Sequence, residues 1–160
     1  MISKKPLQLT LAILKPHVVK SPFALQKIRD IIIDNDFKVV RSRRTIITRE
    51  EAEFFYADHK GHDAIVKWRE LMGPTKVYQA QYLAPNTIRG TFGLSDTRNA
   101  AHGSDSPESA EQEIKIFFKD FNTTKWYQIE EPFFSLGQVR FDPKAFVHII
   151  NEVDTTKSTI

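Results

Sequence analysis

The chain has 160 residues, 41% of them hydrophobic, a net charge of +3 at pH 7 and no cysteine. That length suits one domain with a real core and leaves little room for a second. Disulfide and thiol chemistry are excluded, and zinc would need an all-histidine/carboxylate site. No apolar run reaches a membrane span and no hydrophobic leader core precedes Thr10, while a pI near 9.1 favours phosphate-bearing partners, nucleotide or nucleic acid.

The first 29 residues hold five Lys, one Arg and no acid, a weak presequence-like bias. Within them, Leu7 to Leu14 reads as a continuous apolar strand covered on both faces and ending at Lys15-Pro16. Lys15 is there either a solvated lysine ahead of a turn or a group reaching for a phosphate. His17 reads as a surface turn residue. Ser21-Pro22 caps a helix whose buried stripe is Leu25, Ile28 and Ile32, ended by Asn35.

Phe37 to Ile47 predicts a second strand, with Phe37, Val39 and Val40 inward. The basic run Arg41 to Arg44 is short for a nucleic-acid patch and reads better as a solvated edge that discourages edge pairing. Thr48-Arg-Glu-Glu51 has the form of a capping box and predicts a helix through about His59, anchored by Phe54 and Phe55. His59 and His62 have helical metal-ligand spacing, but Lys60-Gly61 breaks the helix and no third ligand converges. No metal ligands are assigned.

Ala64, Ile65, Trp68, Leu71 and Met72 form one helical apolar stripe. Lys76 to Ala101, with Pro85, Gly90 and Gly93, lacks periodicity and reads as a long functional loop. Asp105 and Ser106 are good N-caps, Pro107 fits the first helical position, and Glu108 stands three residues after Asp105. Ala110, Ile114, Phe117 and Phe118 then mark one helical face. His102 thus precedes a helix N-terminus, where free N–H groups and the dipole favour an anion. Glu113 lies about two turns in and leans back toward it. A histidine oriented by a carboxylate beside an anion site, with Arg89, Arg98 and Asn99 near, suits nucleophilic attack on phosphate. Phe133 to Phe146 alternates loosely and suggests a further strand. One domain is expected over 1–150, with 151–160 a polar, disordered tail.

From Asn99 through Ile114 the chain reads Asn-x-x-His-Gly-Ser-Asp-Ser-x-x-Ser-Ala-x-x-Glu-Ile, preceded by Thr87-Ile-Arg-Gly90. This stretch resembles the signature of the nucleoside diphosphate kinases, and it is far more specific than a short phosphate-loop pattern. Ala12-Ile-Leu-Lys-Pro16 is similar to the family's first-strand motif, and Trp126-Tyr-Gln-Ile-Glu-Glu-Pro132 to an element of the type 6 subgroup.

The resemblance implies an α+β, ferredoxin-like antiparallel sheet with helices on its faces. It implies transfer of the γ-phosphate of a nucleoside triphosphate such as ATP to a nucleoside diphosphate, through a phosphohistidine. Carried over by position, His102 is the nucleophile, Glu113 holds its other ring nitrogen and Ser104 orients Glu113. Lys15, Tyr56, Arg69, Thr75 and Arg89 hold phosphate, and Asn99 with Lys15 contacts the ribose 3′-hydroxyl. Mg²⁺ arrives with the nucleotide. The resemblance further implies an oligomer with itself or with family members, no membrane, no nucleic acid, and a cytoplasmic or mitochondrial location.

Family members carry a lid helix, with a base-stacking aromatic, and a central strand in the place where this chain passes directly from Gly61 to the Ala64 helix. Three expectations follow: a working kinase whose C-terminal residues replace the missing strand, an impaired isoform acting as an interaction protein with a full-length homologue or other partner, or a basic nucleic-acid module using Arg41 to Arg44.

Overall fold

The computed structural model describes residues 7–44, the backbone path of 51–57, and 64–152. The element order is β1 (Thr10–Leu14), α1 (Pro16–Val19), α2 (Pro22–Asp34), β2 (Phe37–Arg44), β3 (Glu51–Ala57), α3 (Ala64–Met72), α4 (Val77–Leu83), α5 (Ile88–Phe92), β4 (Ala101–Gly103), α6 (Pro107–Phe117), α7 (Thr123–Ile129), α8 (Glu131–Ser135), β5 (Val139–Asp142) and β6 (Val147–Ile150). Four strands form one sheet in the order β2-β3-β1-β4, antiparallel at every pairing. This is the expected ferredoxin-like arrangement.

Strand β1 is the spine. All five of its residues, Thr10 included, are buried, and it pairs with β3 on one side and β4 on the other. Helix α2 forms as expected: the Ser21 hydroxyl accepts from Ala24 N–H, Pro22 opens the helix, and Ala24, Leu25, Ile28 and Ile32 are buried. The core joins this stripe to Leu11, Leu14, Phe37, Trp68, Ile114 and Phe134.

The third strand corrects the sequence reading twice. Residues 51–57, expected as a helix, form β3, and they do so in the place the C-terminal residues were expected to fill. The physical reason is backbone satisfaction. Without a strand between β1 and β2, a fully buried β1 would leave one row of N–H and C=O groups without partners. The run Phe54-Phe55-Tyr56 has high strand propensity, and the local capping signal loses to the ladder.

The C-terminal residues form a separate hairpin, β5–β6, which packs beside β2. Strand β2 shifts register between Val39 and Arg41, so Val39 and Val40 are both buried despite being adjacent. There the Val39 N–H donates to His148 Nδ1 at 2.9 Å. The Lys76–Ala101 stretch is also corrected: it contains the short helices α4 and α5. His59 and His62 lie outside the described residues.

Candidate active site

The site is built where β4, α3, α5 and the start of α6 converge. Strand β4 is only three residues long and pairs with β1 through Ile13↔His102, so His102 is fixed from the middle of the sheet. Just before it the backbone makes a tight turn centred on Ala100, whose φ is 76°. Ala101 N–H closes the turn onto Asn99 O at 3.0 Å, and Lys15 N–H donates to Ala100 O at 2.9 Å. A buried alanine at positive φ is strained, and such strain persists where surrounding structure over-determines it. Its effect is to bring Asn99 and His102 to the same cleft as Lys15.

Behind His102 stands a chain of hydrogen bonds. His102 Nε2 lies 2.9 Å from Glu113 Oε1. Ser104 donates from Oγ to Glu113 Oε2 at 2.7 Å and accepts from Leu11 N–H at 3.2 Å. Ser104 is fully buried, and its hydroxyl is satisfied in both roles. A carboxylate only accepts, so the contact assigns the proton to Nε2 and leaves the Nδ1 lone pair unshared. Helix α6, which carries Glu113, is capped by Ser106, accepting from Ser109 N–H at 3.1 Å. The expected box from Asp105 to Glu108 is replaced by this serine pair.

The cleft in front of His102 has a volume of about 670 Å³. Lys15, Arg69, Thr75, Arg89, Asn99 and His102 all line it, so six of the nine predicted site residues face one space, with Ser104 and Glu113 directly behind. Three cations converge there. Arg89 is buried and donates from Nη1 to Gly73 O at 2.8 Å and from Nη2 to Ala101 O at 3.0 Å. Burial lowers its pKa, and the neighbouring Arg69 charge lowers it further. Arg89 is therefore a strut between the end of α3 and β4 as well as a cation at the cleft. Among the described residues its buried Nε and the buried Oδ1 of Asn99 have no hydrogen-bond partner, an arrangement that costs free energy unless a polar ligand completes it. At the rim, the hydroxyls of Ser109 and Ser106 hold the Asp105 carboxyl below its usual range, with a smaller contribution from Arg69.

A cleft with three cations, orphaned polar atoms and a backed histidine is built for a polyanion and for attack on it. The nucleoside diphosphate kinase family profile matches residues 8–62 and 60–123. The chain belongs to the nucleoside diphosphate kinase family. It is 41% identical to nucleoside diphosphate kinase 6 of Homo sapiens, covering 92% of each chain, and 37% identical to the nucleoside diphosphate kinase of Ehrlichia canis, covering 72% of this chain and 95% of that one. Among solved structures, the nucleoside diphosphate kinase of Aquifex aeolicus superposes with a TM-score of 0.60 at 31% identity, covering 70% of this chain and 95% of that one. The family match comes in two pieces that overlap at residues 60–62.

One of the nine predicted site residues, Tyr56, and Arg98, which was expected near the histidine, are placed differently from expectation. Tyr56 lies on β3, its backbone paired with Lys38, rather than on a helix, and its side chain falls outside the described residues. Arg98 is exposed and does not line the cleft. Sequence reasoning missed Gly73, whose φ is +83° and where a Cβ would come within 2.3 Å of Thr87 Oγ1. The signal was present in Met72-Gly-Pro, a helix end followed by the glycine and proline that commonly terminate one. It also missed Val66, an exposed apolar residue on the cleft wall, whose role no pattern reveals.

Proposed function

We propose that this chain is a nucleoside diphosphate kinase that moves the γ-phosphate of a nucleoside triphosphate to a nucleoside diphosphate by way of His102. In the first half-reaction the Nδ1 lone pair attacks the γ-phosphorus, the bond to the β–γ bridging oxygen breaks, and the nucleoside diphosphate leaves with that electron pair. Positive charge develops on the imidazole and is stabilised by Glu113, while Nε2 keeps its proton. The second half-reaction is the reverse, with a different diphosphate as acceptor. Lys15, Arg69, Thr75 and Arg89 would hold the phosphate chain, and Asn99 with Lys15 would take the ribose hydroxyl.

Mg²⁺ would enter on the phosphates. Among the described residues two carboxylates, Glu70 and Asp105, line the cleft, enough to hold the ion's waters and too few to cage it. When bound, the ion neutralises charge on the transferring phosphate.

The observation that carries this reading is the 2.9 Å contact between His102 Nε2 and Glu113 at the back of a cationic cleft. The test is phosphate transfer from γ-labelled ATP onto the purified chain. An acid-labile, base-stable label that is lost in His102→Ala and chased by GDP is expected. A folded chain that takes no label overturns the proposal.

A further inference from the structure

Two stretches that phosphoryl transfer leaves unused, the Arg41–Arg43 run and the Trp126–Glu130 segment, form the walls of a second cleft of about 460 Å³. It shares no lining residue with the His102 cleft. The two clefts lie toward opposite edges of the sheet, since β2 and β4 are its outer strands, about 14 Å apart at ordinary strand spacing.

The cleft lining carries four cations, Arg41, Arg43, Lys119 and Lys125, against two carboxylates, Asp120 and Glu130. Glu130 is already engaged: Arg41 Nη2 meets its Oε1 at 3.0 Å, with Arg41 Nη1 on Val40 O at 2.8 Å. Among the described residues, Arg43, Lys119 and Lys125 form no ion pair with a carboxylate. The floor is apolar, made by Phe118, Phe121 and Trp126, and Ile129 stands 58% exposed at the lip.

The aromatic rings are not offered as stacking platforms. Arg41 lies over Phe121 at 5.3 Å, and Trp126 is buried against Phe134 and Tyr127. Single-stranded nucleic acid binds through free ring faces, so the surplus cations point to a different anion. We infer that this cleft docks an acidic polypeptide segment, its carboxylates on Arg43, Lys119 and Lys125 and one apolar side chain against Ile129. The cationic rim would steer and orient the segment, and the apolar contact would hold it.

The probe is a fluorescein-labelled pool of peptides about ten residues long, with Asp or Glu surrounding a central Leu, Ile or Phe, read by anisotropy on the full chain. Saturable, salt-weakened binding with a Kd of about 1–100 μM is expected. The exposed pair Lys119→Glu/Lys125→Glu should weaken it by at least about tenfold, and Ile129→Asp should weaken it too. His102→Ala and the distant reversal Lys20→Glu/Lys144→Glu should leave it unchanged. Circular dichroism checks that each variant is folded. No saturation up to about 1 mM, binding indifferent to the Lys119/Lys125 reversal, or equal competition by a single-stranded RNA of the same charge would each overturn the inference.

Discussion

Ser104 donates its hydroxyl proton to Glu113 at 2.7 Å while accepting the Leu11 N–H at 3.2 Å. The carboxylate behind the histidine is thereby pinned to the central strand. Replacing Ser104 with alanine removes both bonds and leaves the buried Leu11 N–H without that partner. The expected loss is about 1–2 kcal/mol of stability in urea unfolding and roughly tenfold in the rate of phosphohistidine formation. Glu113→Gln should leave stability nearly unchanged but slow phosphorylation on the order of 10²-fold, because a neutral amide does not stabilise the imidazolium. Quench-flow labelling separates the two. A normal labelling rate in the Glu113→Gln variant would remove Glu113 from the mechanism.

Gly103 follows the histidine on β4, and an added Cβ would stand 2.6 Å from both Met72 Cε and Trp68 Cδ1. Trp68 is fully buried, packs edge-on to Phe37 at 6.2 Å and approaches the His102 carbonyl through Nε1 at 3.4 Å. It has no room to yield. Gly103→Ala should therefore destabilise the chain by about 1–3 kcal/mol, the usual range for overpacking, measurable as a lower urea midpoint at unchanged m-value. An unchanged midpoint would mean that α3 slides freely over β4.

These residues show how unevenly the sequence reports on the fold. Glu113 and the Ser21 cap were legible because each depends on spacing along one helix or on a local hydrogen bond, whereas the role of Ser104 came only from the signature resemblance, because its bond to Leu11 is tertiary. The Glu51–Ala57 strand was not, because a capping box and a strand-prone aromatic run coincide there, and the choice is made by the unpaired edges of β1 and β2, which are remote in sequence. Helices α4 and α5 are too short to show periodicity. Gly103 looked like a signature residue only, since its neighbours Trp68 and Met72 come from another helix. The six cleft residues converge because β4 and α3 meet, a tertiary fact that the signature resemblance implied and no local pattern contained.

His148 plugs the β2 edge with a side chain where a strand would use its backbone. It is 8% exposed and accepts the Val39 N–H at 2.9 Å. Burial lowers its pKa to about 4, helped by the charge of Lys38. The folded state therefore prefers neutral histidine, and the unfolded chain binds more protons below its pKa near 6.5. Stability from this group is fully present above about pH 6.5 and is lost as pH falls toward about 4, by up to about 2 kcal/mol after allowance for solvent screening. Urea midpoints measured across that window should fall for the native chain. The His148 component of that fall should vanish in His148→Gln, which retains an acceptor without a proton to gain. Parallel curves for the two proteins would exclude His148 as the titrating group.

The pairing of β3 with β2 makes a geometric prediction in a chain with no natural cysteine. Ser42 stands opposite Glu53, and Arg43 opposite Ala52. Directly opposed residues of antiparallel strands have Cα atoms about 4.5–5.5 Å apart, inside the range of about 4.4–6.8 Å that a disulfide spans. The double substitution Ser42→Cys/Glu53→Cys should therefore oxidise in air to an intramolecular disulfide, seen as a faster-migrating band on non-reducing gels. Ser42→Cys/Ala52→Cys is offset by one residue from the paired register and should stay reduced under the same conditions. A helix over this segment would carry residue 53 away from β2 and cross-link neither pair. Oxidation of the first pair alone is the outcome required if this stretch supplies the strand that completes the sheet behind His102.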